Sequence, residues 1–299
     1  MIKGTYTALI TPFLEDGSID ERGFQKLIEI QIQNSIQGVV LFGTTGESPT
    51  LTQAEKTRLL NLARKIIPSH FQLIVGTGSN STADTIAETQ WAERLGADAA
   101  MVVVPYYNKP TQEGLLQHYS AVAASTSLPL IIYNIQGRCG VNLATSTLQK
   151  LLQVNNITAV KEASGNISQI MEVIEMARNT RSDFTILSGD DNLTLPVIAL
   201  GGHGVISVVS NLIPEEVHAL VDACLANDWN TARELHYALL PLFRGAFIET
   251  NPIPIKTLMH YDELPSGPLR LPLSPLEHEN ERKLRHLYET LKLPLLTHG

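Results

Sequence analysis

Eight short apolar runs, each followed by an amphipathic stretch, constrain this chain more than any other feature of its sequence. They fall at residues 6–10, 38–42, 72–75, 99–104, 128–133, 157–160, 184–187 and 204–208. Runs this short, rich in Val and Ile and mostly bounded by Gly, Pro or Asn, read as strands buried on both faces. The stretches between them read as helices. Residues 20–34 carry Phe24, Leu27, Ile28 and Ile32 at helical spacing. Residues 52–67 open with Thr52 and Glu55 at capping-box separation, and residues 81–95 end at Gly96, a suitable residue to follow a helix. Segments 114–125, 145–154 and 167–178 repeat the pattern, and a shorter one spans 193–200.

Strict strand–helix alternation calls for parallel strands joined by right-handed crossovers. Eight such units in about 210 residues suit a closed barrel better than an open doubly wound sheet. The expected fold class is therefore α/β: a (β/α)8 TIM barrel over residues 1–225 with a C-terminal helical extension over 226–299. Length alone, 299 residues, would suggest about two domains at ~150 residues each, but α/β barrels of this size form one. Beyond Pro214 the pattern is helical at 215–226, 229–243 and 277–291. Residues 252–275 hold six of the 16 prolines and read as an irregular crossing.

With 43% hydrophobic and 17% charged residues the chain is too apolar for disorder. A formal charge of −8 and no Lys/Arg run argue against a polyanionic nucleic acid or an anionic membrane as partner. Cys139 and Cys224 cannot build a disulfide framework and lack metal-ligand spacing. The apolar runs are too short to span a bilayer, and the start shows no signal peptide, so a cytoplasmic location is expected.

In such a barrel the chemistry belongs at the C-terminal strand ends. Those ends offer Gly43-Thr44-Thr45-Gly46-Glu47, Pro105-Tyr106-Tyr107-Asn108, Tyr133-Asn134 leading to Arg138, Lys161-Glu162, Gly189-Asp190-Asp191, and the segment after Ser207. Lys161 stands out because it closes an apolar strand. Desolvation there favours the neutral amine, the form that attacks a carbonyl to give a Schiff base. An ordinary ion pair with Glu162 is the competing reading. Tyr133 closes the neighbouring strand and offers a phenol for proton transfer, or is a hydrogen-bonded core residue. Thr44 and Thr45 could hold a small carboxylate with backbone N–H groups and hydroxyls, or form a plain turn. Arg138 could bind a second carboxylate bidentately, or be solvated. No P-loop, dinucleotide fingerprint or His pair with metal spacing is present, so no metal and no cofactor are expected. Pyridoxal phosphate also uses a lysine, but Asp190 and Asp191 carry the wrong sign where a barrel holds its phosphate.

At these residues the chain resembles the dihydrodipicolinate synthase and N-acetylneuraminate lyase superfamily of pyruvate-dependent class I aldolases. The resemblance runs over residues 2–291 and includes Gly201-Gly202-His203-Gly204. Within it the synthase branch fits best, through the Thr44-Thr45 pair, Arg138, and Asn251-Pro252-Ile253-Pro254-Ile255-Lys256. The rival is an aldolase for N-acetylneuraminate or another 2-keto sugar acid. What the resemblance implies is a Schiff base between Lys161 and pyruvate, whose carboxylate rests on Thr44 and Thr45. The derived enamine attacks L-aspartate 4-semialdehyde, giving 4-hydroxy-tetrahydrodipicolinate for diaminopimelate and lysine synthesis. Tyr133 would move protons through Thr44 and through Tyr107 of a neighbouring protomer, in a homotetramer built as a dimer of dimers. Arg138 matches the carboxylate holder for the semialdehyde, Ile206 a position whose backbone lies against pyruvate, and Gly189 a further substrate contact.

Two departures stand out. The loop Ile135-Gln136-Gly137-Arg138-Cys139-Gly140 has Gln136 and Gly137 where the family usually has Pro and Ser, which widens its backbone freedom. Lysine-inhibited members carry His where this chain has Gln53 and Lys56, near Ser48, Asn80 and Tyr106. A cationic Lys56 would repel an incoming ammonium, so lysine inhibition is expected to be weak or absent.

Overall fold

In the computed structural model, which describes residues 2–291, eight strands hydrogen-bond in chain order and the last returns to the first. They are β1 (Gly4–Ala8), β2 (Gly38–Leu41), β3 (Gln72–Gly76), β4 (Ala99–Val103), β5 (Leu130–Asn134), β6 (Ile157–Glu162), β7 (Thr185–Ser188) and β8 (Gly204–Ser207). Every pairing is parallel, including β1 with β8, so the sheet is a closed (β/α)8 barrel. Around it lie α1 (Glu21–Gln33), α2 (Gln53–Ile66), α3 (Thr82–Arg94), α4 (Gln112–Ala124), α5 (Gln136–Cys139), α6 (Thr145–Leu151), α7 (Ile167–Thr180), α8 (Thr194–Ala199) and α9 (Pro214–Leu225). The C-terminal helices are α10 (Trp229–Gly245), α11 (Ile253–Tyr261) and α12 (His278–Thr290).

The strands are apolar throughout because successive side chains serve two different cores. Val40, Met101 and Ile206 point into the barrel with Tyr6, Ile131 and Leu187. Their neighbours Val39, Val102 and Val205 point outward into a second cluster shared with the helices. Leu242, Met259 and Leu284 of the C-terminal helices belong to that same outer cluster. The expected capping box on α2 is present: the Thr52 hydroxyl accepts from the Glu55 N–H, and the Glu55 carboxylate accepts from the Thr52 N–H at 2.8 Å. Among the described residues no helix is long and apolar enough to cross a membrane.

Three segments differ from the sequence reading. Strand β1 begins two residues earlier than the expected 6–10, and Leu9 and Ile10 are buried beyond its end. The Ile10 N–H donates to Asn211 Oδ1 at 3.0 Å, so a side-chain amide takes over from the ladder there. At the seam, Gly4 pairs with Gly204, whose φ of +151 and near contact with the Gly4 carbonyl leave no room for a Cβ. Part of the stretch read as an irregular crossing is helix α11; Pro254 sits in its first turn, where the missing N–H costs nothing. The loop carrying Arg138 folds as the single helical turn α5, closed by Gly140 N–H to Gln136 O at 2.9 Å.

Candidate active site

Strands β5 and β6 are in register at Tyr133 and Lys161, which puts both side chains on the inner face at the C-terminal mouth of the barrel. Lys161 Nζ lies 4.2 Å from the centre of the Tyr133 ring. Both residues are buried. Burial pushes the Lys161 ammonium down to about 8; Asp190 and Asp191 oppose this, and Arg138 adds to it. The Tyr133 phenol is held neutral by burial and is hydrogen-bonded to the Thr44 side chain.

The competing ion pair of Lys161 with Glu162 is absent. Glu162 points to the opposite face of β6, where its carboxylate accepts from Asn134 Nδ2 at 3.1 Å and from the Ser164 N–H at 3.0 Å. Burial raises its pKa. Asp191, also buried, accepts from the Ser207 hydroxyl and from the Val208 N–H at 3.0 Å. Asp190 remains on the cavity wall.

A cavity of about 30 Å³ brings together Lys161, Tyr133, Thr44, Thr45, Arg138 and Gly189. It shares Thr44, Tyr133 and Arg138 with a larger groove of about 650 Å³. Gly189 has a steric reason to be glycine: a Cβ there would stand 2.7 Å from the Ala163 Cβ and 3.1 Å from Lys161 Cε. Two residues singled out in the sequence are not at the cavity. Ile206 is fully buried among the barrel-filling side chains, while Val208 lines the wall. Tyr107 is 88% exposed, at a φ of +73, on the loop after β4.

Asn251 is the contributor whose role the sequence did not reveal. Its Nδ2 donates to Thr45 Oγ1 at 2.9 Å, and its backbone carbonyl accepts from the Arg138 guanidinium at 3.0 Å. The motif containing Asn251 was visible, but the 206 residues separating it from Thr45 hid the contact. Cys139, near the same mouth, has its thiol pushed up to about 11 by burial, so it stays protonated at neutral pH. Lys56 lines the larger groove 3.9 Å from Glu88, so its charge is partly offset there.

The sequence matches the model of the dihydrodipicolinate synthetase family over residues 1–291. This chain belongs to that family. A 4-hydroxy-tetrahydrodipicolinate synthase from Protochlamydia amoebophila is 51% identical over 298 residues, covering 100% of this chain and 99% of the relative. The solved 4-hydroxy-tetrahydrodipicolinate synthase of Methylacidiphilum fumariolicum superposes with a TM-score of 0.94 at 47% identity, covering 98% of this chain and 96% of that one. A solved monomeric dihydrodipicolinate synthase variant gives a TM-score of 0.95 at 38% identity, with 98% and 97% covered. The barrel fold thus coincides with these solved structures over 98% of the chain.

Proposed function

We propose that the chain is a Schiff-base aldolase-type lyase condensing pyruvate with L-aspartate 4-semialdehyde to 4-hydroxy-tetrahydrodipicolinate, in diaminopimelate and lysine synthesis. The observation that carries this reading is Lys161, buried beside Tyr133 with its ammonium lowered to about 8. A neutral fraction of this amine attacks the C2 carbonyl of pyruvate, and the carbinolamine loses water to give the iminium. Loss of a methyl proton gives the enamine, whose carbon forms the new bond to the aldehyde carbon of the semialdehyde. The amino group of that substrate then attacks C2, closing the ring and releasing Lys161.

Tyr133 passes protons along the hydrogen bond to Thr44. The Thr44-Thr45 loop holds the pyruvate carboxylate, and Arg138, anchored on Asn251, takes the carboxylate of the second substrate. Gly189 leaves the space in which Lys161 swings, and Val208, just past the end of β8, backs the pyruvate. Tyr107 extends the proton relay from a neighbouring protomer, which its exposure in a single chain supports. The assembly we propose is a homotetramer, a dimer of dimers, acting in the cytoplasm without a metal or organic cofactor.

Borohydride reduction in the presence of pyruvate, followed by mass mapping, tests the mechanism: the adduct is expected on Lys161, and an adduct elsewhere or none rejects it. Supplying aspartate semialdehyde alongside N-acetylneuraminate and 2-keto sugar acids tests the substrate. Failure to consume the semialdehyde rejects this synthase in favour of the sugar-acid aldolase.

A further inference from the structure

Behind the Thr44-Thr45 loop lies a buried ion pair that the reaction does not use. Glu47 Oε1 and Lys256 Nζ are 2.8 Å apart, with side chains 0% and 2% exposed. Glu47 ends the loop in left-handed backbone, at a φ of +53, and its N–H donates to the Thr44 carbonyl at 3.1 Å. Its second oxygen accepts from the Arg270 N–H at 3.1 Å. Lys256 Nζ spends its other protons on the Thr11 and Pro268 carbonyls, at 3.2 and 2.7 Å, and lies 4.5 Å from the centre of the Phe13 ring. Every charge and proton of the pair is therefore satisfied by a partner fixed in space.

Lys256 sits on helix α11, and Asn251 just ahead of that helix holds both Thr45 and Arg138. The C-terminal segment thus grips the loop at two points, Thr45 and Glu47. As a stabiliser, a buried ion pair is a poor choice, because well-packed apolar residues of similar volume often do as well or better. What it supplies in return is a defined distance between two groups.

We propose that the Glu47–Lys256 pair is a positioning device that fixes Thr44 and Thr45 relative to Lys161 and so sets how well the site holds pyruvate. Neither residue lines the small cavity at Lys161, and Glu47 borders only the larger groove; both act through the loop. The proposal rests on the reading of the Thr44-Thr45 loop as the carboxylate subsite. A displacement of about 1 Å in such a subsite can cost on the order of 100-fold in rate.

The test uses the full chain with Glu47→Gln and Lys256→Met combined, which removes both charges at nearly constant volume. The double variant is expected to fold and to trap pyruvate on Lys161 at saturation. Its kcat/KM for pyruvate should fall on the order of 100-fold, with most of the loss in KM. A folded double variant with the pyruvate KM of the parent overturns the proposal, whatever its melting temperature. Glu47→Asp supplies a second arm that does not depend on the double variant folding. It keeps the charge, suits the left-handed backbone, and shortens the link by one methylene, so the pair closes only if the loop moves. A raised pyruvate KM is expected there too, and an unchanged one overturns the proposal. Borohydride trapping of the parent protein separates the two levels: if Lys161 takes no pyruvate, the reading of the reaction fails, not the role of the pair alone.

Discussion

Lys161 experiences two opposed environments. Burial and Arg138 favour its neutral form, while Asp190 and Asp191 favour the cation, and the balance falls at about 8. About a tenth of the amine is then neutral at pH 7, against well under a thousandth for an ordinary lysine. The rate of Schiff-base trapping should rise with pH and level off above about 8. Removing the Asp190 charge with Asp190→Asn should move that midpoint to lower pH, because the carboxylate supports the cation. Single-turnover trapping across pH 6 to 10, at about one-unit steps, measures both; a midpoint unmoved by Asp190→Asn contradicts the assignment. The same shift has a stability consequence. The folded chain releases this proton near 8 and the unfolded chain near 10.5, so the unfolded state binds more protons between those values. The Lys161 contribution to stability therefore grows as pH rises through that window. Gly189→Ala belongs at this scale as well: the added methyl stands 2.7 Å from the Ala163 Cβ and 3.1 Å from Lys161 Cε, so kcat and the melting temperature should both fall.

At the level of elements, the C-terminal segment is what converts a generic barrel mouth into this site. Helix α11 contributes Lys256, and the residues before it contribute Asn251 and Phe247 to the cavity or its support. Lys256→Met alone leaves the buried Glu47 carboxylate without its nearest counter-charge, a loss of about 3–5 kcal/mol in folding free energy. Urea unfolding measures it, and a loss below about 1 kcal/mol would show that water or a neighbouring cation reaches Glu47. The groove beside α2 and α3 makes a different prediction. Lys56 lines it 3.9 Å from Glu88, and a cation there repels the ammonium of an amino acid entering the groove. Free lysine should leave the condensation rate unchanged or nearly so, and an inhibition constant in the micromolar range refutes this.

For the whole molecule, the question is what Tyr107 does. A large aromatic side chain that is 88% exposed in left-handed backbone is left largely uncovered by the described residues of its own chain. If it completes a partner's site, a Lys161→Met chain mixed with a Tyr107→Phe chain should regain activity, because one site in each mixed dimer keeps an intact lysine and an intact tyrosine. Activity no higher than that of the separate variants places Tyr107 in its own chain's site or in none. Sedimentation should give four times the mass of one chain, and a single-chain mass rejects the tetramer.

Much of this was legible in the sequence because two strong signals act locally. The apolar runs and their helical partners alternate eight times, which suits a closed parallel barrel better than an open sheet, and strand boundaries followed to within one or two residues. Lys161, Tyr133 and the threonine loop were readable because each ends a strand, and strand ends in such a barrel converge. Strand β1 was misplaced because buried coil at Leu9 and Ile10 is as apolar as strand, and only the Asn211 amide tells them apart. Helix α11 was missed because proline at its start resembles proline in a loop. The Asn251 and Lys256 contacts cross 206 and 209 residues, and no periodicity carries over such a distance. The sequence by itself determined the barrel, the lysine at the end of its sixth strand and the face at which strand ends converge, since these depend on local pattern and residue type. Only the tertiary structure decided which distant side chains hold the threonine loop and Arg138 in place, because that is settled by packing across the whole chain.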